Sequence, residues 1–190
     1  MQVIQREAYR RMPWKNGQGL TEEVMAFPEG AGVDGFDWRL SIAHVDADGP
    51  FSPFPGIDRT IALLEGEGLA LDLPDGRTVT LSPGGEPFPF PGEWTVSSRN
   101  LGGPTVDLNI MTRRGRVDHV MRRMALDGGR RIDAEDMTLV VVCMECAVTG
   151  SSGGEALSRF DTILLDAGQS AEIEPATPGF VLEISLSASR

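Results

Sequence analysis

Cysteine, histidine and tyrosine are all scarce in this 190-residue chain, which holds two Cys, two His and one Tyr. Two cysteines cannot make a disulfide framework, and a chain of this length can bury a core without one. Such sparse use fits a reducing compartment, so a cytoplasmic location is the expectation. Long apolar runs are missing as well. Nowhere do about 18 consecutive apolar residues occur, and the opening segment MQVIQREAYRRMPW lacks the apolar stretch of a secretion signal. A soluble protein with no membrane partner is expected. Positive charge is in deficit: 17 Lys plus Arg stand against 28 Asp plus Glu, a formal net charge of −11 at pH 7. Such a field repels phosphate backbones and anionic lipid, so nucleic acid is not an expected partner.

What the chain has in plenty is turn chemistry. Its 23 Gly and 13 Pro are spread along the whole length, as expected for many short strands joined by turns. Residues 36–45, 59–73, 76–82, 105–113, 137–148, 161–167 and 179–187 each form a strand-length stretch rich in Val, Ile, Leu or Thr. The reading is an all-β protein. Within LLEGEGLAL the Gly at 66 and 68 pinches two strands apart, and Asp75-Gly76 makes the next turn. LSPGGEPFPFPGE and LDAGQSAEIEPATPG, each ahead of a last apolar strand, hint at a duplicated barrel.

Most motifs for catalysis are absent. A first-row metal needs three or more convergent N, O or S ligands, and the chain offers only His44 and His119, far apart, with no His-x-His pair. Both histidines are read as packing or surface residues, and no metal or other cofactor is expected. Cys143 and Cys146 fall in the apolar run LVVVCMECAV. If that run is one strand, they point to opposite faces about 10 Å apart, and they read as packed thiols. No GxSxG occurs, and the Gly-rich GGEP and GQGLT open no helix, which removes the phosphate-cradle reading. The one basic cluster, TRRGRVDHVMRR at 112–123, reads as a solvated segment pairing with nearby Asp and Glu at the junction of two halves.

Alternation inside two strands is more informative. In DWRLSIA, Arg39, Ser41 and Ala43 share one face; in TVDLNIMTR, Asp107, Asn109 and Met111 share one. Such a stripe is either the wet side of a half-buried strand or the lining of a barrel lumen.

Three blocks then carry a resemblance. PWKNGQGLTEEV, FDWRLSIAHVDADGPFSPFPGIDR and VDLNIMTRRG, in that order across residues 13–115, resemble the HutD/Ves family, and LLEGEGL resembles the strand framework of the cupin barrel. Gln18 stands where the family's NGGG form has Gly. The resemblance implies an all-β bicupin fold, two small jelly-roll-like barrels packed in one chain, with an N-terminal barrel over 1–115 and a smaller C-terminal one over 116–190. It also implies a small carboxylated metabolite as ligand, tied to histidine utilisation for HutD or to a stress-linked role for Ves. It favours the lumen reading of the stripes.

On that reading Arg39 and Arg59 grip a carboxylate, since a planar guanidinium offers two parallel donors. Trp14, Asn16, Thr21 and Glu23 close one side. Phe51, Phe54 and Phe90 form an apolar wall, and Ser41, Glu93, Asp107 and Asn109 fix orientation. The expected role is metal-independent binding of a small acid, and a homodimer is in keeping with cupin barrels. The alternative is a cupin enzyme acting on a small polar substrate, isomerase- or epimerase-like or of an atypical metal-dependent kind, with catalytic residues unassigned and Glu23, Glu93 and Asp107 as its available carboxyls.

Overall fold

A computed structural model describes residues 1–14, 17–32, 35–151 and 153–189. Apart from one 3-10 turn at Arg6–Ala8, the regular structure of the described residues is β-strand, as the turn-rich composition predicts. The strands form two compact units. One comprises Arg10–Asp118 with Ser189; the other comprises Met1–Tyr9 and His119–Ala188.

Each unit is a pair of sheets. In the 10–118 unit a six-stranded sheet runs in the order Arg10–Pro13, Gly19–Phe27, Trp38–Val45, Thr105–Arg113, Ile57–Glu65, Phe88–Pro91. A four-stranded sheet of Gly49–Pro50, Ser97–Asn100, Leu69–Asp72 and Thr78–Leu81 accompanies it. Proline lacks the N–H that a central ladder needs, and the strands bearing Pro13, Pro50, Pro89 and Pro91 all lie at sheet edges. The turns fall where the glycines predict. Ile57–Glu65 and Leu69–Asp72 part at Gly66, whose φ of 111° a side chain would resist, and Gly76 at φ 83° closes the next hairpin.

The central strand Thr105–Arg113 is buried at every position but its last. That decides the ambiguity of the polar stripes: Asp107 and Asn109 do not lie on a wet face. One end of the interior of this unit is filled by Ile61, Leu63, Leu69, Leu71, Leu73, Leu81, Phe90 and Val96.

The second unit pairs Gln2–Ile4, Thr162–Leu165, Met137–Val142, Gly179–Ala188 and Val117–Leu126 in one sheet. Its other sheet holds Arg130–Asp133, Ser170–Pro175, Cys146–Gly150 and Gly153–Leu157. Its core is apolar, built on Val140, Val142, Val148, Ile163, Leu165, Ile173 and Val181. The run read as one strand over 137–148 is two, broken at residues 143–145, so the two cysteines do not share a strand. Both thiols are free and buried. Burial pushes Cys143 up to about 12 and Cys146 up to about 11, the latter helped by Glu145 and Asp161, which leaves neither poised as a nucleophile. No helix of the described residues is long and apolar enough to cross a membrane.

Candidate functional site

The polar stripes meet in the 10–118 unit because neighbouring strands are in register. Met111 pairs with Arg39 on one side and with Arg59 on the other. Asn109 faces Ser41 and Ile61; Asp107 faces Ala43 and Leu63. Thr21 and Glu23 extend the same face opposite Ala43 and Ser41, and Phe90 lies opposite Arg59 on the edge strand. A β-bulge between Glu23 and Met25 breaks the alternation just after Glu23.

These side chains surround a cavity of about 750 Å³, within the range of small-molecule sites. Its buried part carries Arg39, Ser41, Arg59, Ser98, Asp107, Asn109 and Met111, and its exposed rim includes Pro13, Gln18, Asp48 and Ser52. Small residues keep it open: Ala43, Ala47 and Gly49 contribute little volume. Contacts across the loops hold the walls. Phe51 donates its backbone N–H to Val96 O at 2.8 Å, Phe54 to Gly92 O at 2.8 Å, and Gly92 in turn to Ile57 O at 2.7 Å. This lacing sets Phe51 and Phe54 beside Arg59. At the rim Trp14 donates from Nε1 to Thr21 Oγ1 at 2.8 Å and packs on Gly19, where a Cβ would come within 2.8 Å of the indole.

Arg59 is the most unusual group. It is 6% exposed, and its guanidinium carbon lies 4.9, 5.1 and 5.6 Å from the ring centroids of Phe90, Phe51 and Phe54. Desolvated cation–π contacts of this kind are worth about 2 kcal/mol. Nη2 donates to Asn109 Oδ1 at 2.9 Å, while the buried Nε has no hydrogen-bond partner among the described residues. Asn109 Nδ2 passes the chain on to Asp107 Oδ1. Burial pushes Arg59 down to about 10, against the pull of Asp107 and with the push of Arg39. Asp107 is pushed up to about 7 by burial, which outweighs both the Arg59 charge and the Asn109 hydrogen bond. Arg39 is differently placed: its Nε donates to Glu23 Oε2 at 2.6 Å in a largely buried ion pair.

Among the residues singled out from sequence, Trp14, Thr21, Arg39, Ser41, Phe51, Phe54, Arg59, Asp107 and Asn109 line the cavity. Glu23 and Phe90 stand one step back, on Arg39 and Arg59 respectively. Asn16 lies outside the described residues. Glu93 is a correction: it is exposed, past the edge strand Phe88–Pro91, and held by Arg114 at 2.9 Å, which also binds Asp58. The position follows from the Gly92 turn, whose buried backbone is tied to residues 54–57 and leaves the next side chain outside. Glu23, Glu93 and Asp107 therefore do not converge, and no group of three or more His, Cys, Asp or Glu among the described residues could hold a metal ion. His44 lies 3.3 Å from the buried Glu22. Sequence reasoning missed Met12, Gln18, Asp48 and Ser98. Of these only Asp48, in the turn sequence DADGP, carried a local signal.

The HutD family model matches residues 6–182. This chain belongs to the HutD family. A relative in Pseudomonas putida, an uncharacterised 21.2 kDa protein in the hutC 3' region, is 37% identical over 159 residues, covering 84% of this chain and 82% of that protein. The Ves protein of Citrobacter koseri is 43% identical over 111 residues, 56% of either chain. The solved structure of HutD from Pseudomonas fluorescens SBW25, obtained in a formate condition, superposes with a TM-score of 0.81 at 33% identity, covering 100% of this chain and 99% of that one. A cupin 2 conserved barrel domain protein from Leptotrichia buccalis, at 12% identity and TM-score 0.62 over 98% of each chain, shows that this HutD-family fold is cupin-like.

Proposed function

We propose that this HutD-family protein binds a small carboxylate in the cavity of its 10–118 unit, without a coordinated metal, in a cytoplasmic role linked to histidine utilisation. The observation that carries the reading is Arg59. A buried guanidinium with an unpartnered Nε beside an open cavity is costly unless a guest completes it, and a carboxylate matches its fork of parallel donors. The aromatic wall beside it suits a guest with an apolar or conjugated body. Metal-independence is supported by the described lining residues, which offer no imidazole and no thiol. The link to histidine breakdown is supported only by the family and by the hutC neighbourhood of the Pseudomonas putida relative.

Isothermal calorimetry with urocanate and formylglutamate tests this. Binding of at least one acid by the wild type, lost in Arg59→Ala, is the expected result; silence with both acids contradicts it.

Turnover is the second reading, and one observation favours it: a carboxyl near neutrality in a cavity can act as general acid or base. A stoichiometric metal that survives dialysis, or consumption of either acid followed by NMR, would establish that class.

A further inference from the structure

An open row of backbone N–H and C=O groups at a sheet edge recruits further strands, so edges are ordinarily kept short, charged or broken by proline. Among the described residues, seven of the strands that end the four sheets run only two to five residues. The remaining edge strand, Val117–Leu126, runs ten residues and contains neither proline nor glycine. The duplication shows why it is bare. The order Trp38–Val45, Thr105–Arg113, Ile57–Glu65, Phe88–Pro91 in the 10–118 unit returns in the second unit as Val117–Leu126, Gly179–Ala188, Met137–Val142, Thr162–Leu165. Outside Trp38–Val45 the first sheet adds Gly19–Phe27 and Arg10–Pro13. Outside Val117–Leu126 the second sheet adds no strand among the described residues, because its extra strand, Gln2–Ile4, covers Thr162–Leu165 at the opposite edge.

The side chains of the bare strand complement a copy of themselves. Asp118, Val120 and Arg122 alternate onto one face and all three are exposed, Val120 by 50%. Arg122 enters no ion pair among the described residues, and Asp118 accepts from the Ser189 hydroxyl at 2.6 Å with its second oxygen left over. Antiparallel strands related by a two-fold axis normal to the sheet set residues of the same face opposite one another. With the axis at Val120, Asp118 of each copy faces Arg122 of the other, and the two Val120 side chains meet. Axes at Asp118 or Arg122 would oppose like charges, and axes at His119 or Met121 would leave both charges unmatched. Charge at an edge usually prevents pairing; here it rejects the neighbouring registers and admits one.

We propose that Val117–Leu126 is a homodimer interface: two copies join antiparallel about Val120, residues 117–123 of each form the ladder, and the two five-stranded sheets become one. The ladder and the Val120 contact carry the association, while the exposed ion pairs set its register. An edge ladder without further packing belongs to the weak class of interfaces, so monomer and dimer exchange with concentration. None of this depends on what the cavity of the 10–118 unit binds.

The test is sedimentation velocity of the full chain from about 1 µM to about 300 µM. The wild type should pass from monomer towards dimer as concentration rises. Asp118→Arg and Arg122→Asp should each weaken self-association at least about tenfold, since like charges then face each other. Mixed in equal amounts the two variants should pair, because a strand with two cations then lies opposite one with two anions. Hydrogen exchange on the wild type reads the same interface without any substitution: amides of residues 117–123 should exchange more slowly at the higher concentration. A wild type that stays monomeric throughout overturns the proposal and leaves this edge to a strand from another protein. A dimer indifferent to both charge reversals, variants that do not pair on mixing, or exchange at 117–123 that ignores concentration also overturns it.

Discussion

Arg59 and Asp107 do not form a direct ion pair; Asn109 stands between them, accepting from Arg59 Nη2 at 2.9 Å and donating to Asp107. Two opposite charges in a dry interior are ordinarily brought together to offset their desolvation. Here burial moves both groups toward neutrality despite their mutual attraction, Arg59 down to about 10 and Asp107 up to about 7. An arrangement that leaves charge so poorly compensated is what a site for a charged guest requires. The Asn109 bridge also makes a clear prediction. Asn109→Leu keeps the branched shape but leaves Nη2 of Arg59 and Oδ1 of Asp107 without their partner. It should cost about 1–3 kcal/mol of stability by differential scanning calorimetry, and weaken urocanate at least about tenfold by titration calorimetry.

Asp107 should also shape stability against pH. Its folded value near 7 lies above its ordinary 3.8, so between those values the native state holds more protons than the unfolded chain. Stability from this group is therefore fully present below about pH 4 and is lost as pH rises towards 7. Asp107→Asn removes the loss. The variant should melt several degrees above the wild type at pH 8, with the gap closing towards pH 4.

Gly92 is required by space. A Cβ there would lie 2.7 Å from Phe54 O and 2.8 Å from Ile57 O, both backbone atoms that cannot swing away. Gly92→Ala should cost about 1–3 kcal/mol, lower the melting temperature by several degrees, and reduce carboxylate affinity by displacing Phe54 from Arg59.

Glu93, exposed on Arg114, lies apart from the cavity. Glu93→Ala should leave urocanate affinity within about twofold of wild type by titration calorimetry. A loss as large as that of the Asn109 variant would return Glu93 to the site.

Releasing Arg39 should change which acid is preferred. Glu23→Gln removes its ion partner and leaves a second buried cation beside the cavity. Formylglutamate should then gain affinity relative to urocanate, by about tenfold or more in the ratio of their dissociation constants.

Much of the barrel wall was legible in the sequence because strand periodicity is exact. Alternation alone placed Arg39 with Ser41, and Asp107 with Asn109, on shared faces, and the structure sets the two stripes side by side on one face of the six-stranded sheet. What alternation could not say is whether a polar face looks into water or into a cavity. The burial of the whole strand Thr105–Arg113, a tertiary property, decided that. A strand rich in charge escaped notice: Val117–Leu126, with its Arg122 and Arg123, reads as part of a solvated segment. Glu93 was misplaced for a related reason. A turn of one residue at Gly92 reverses which side of the wall a neighbour occupies, and backbone direction at a turn is not a periodic signal. Met12 reaches the cavity from an edge strand, Gln18 from a loop and Ser98 from a short inner strand, positions that no local pattern distinguishes.

The most direct measurement is a crystal soaked with 4-bromobenzoate, a rigid monocarboxylate whose bromine can be located by anomalous scattering. The expected result is a bromine peak inside the cavity of the 10–118 unit, with one carboxylate oxygen within about 3 Å of Arg59 Nε. A peak at any other position, or an acid seated in the cavity with Arg59 Nε still unpaired, would contradict the account.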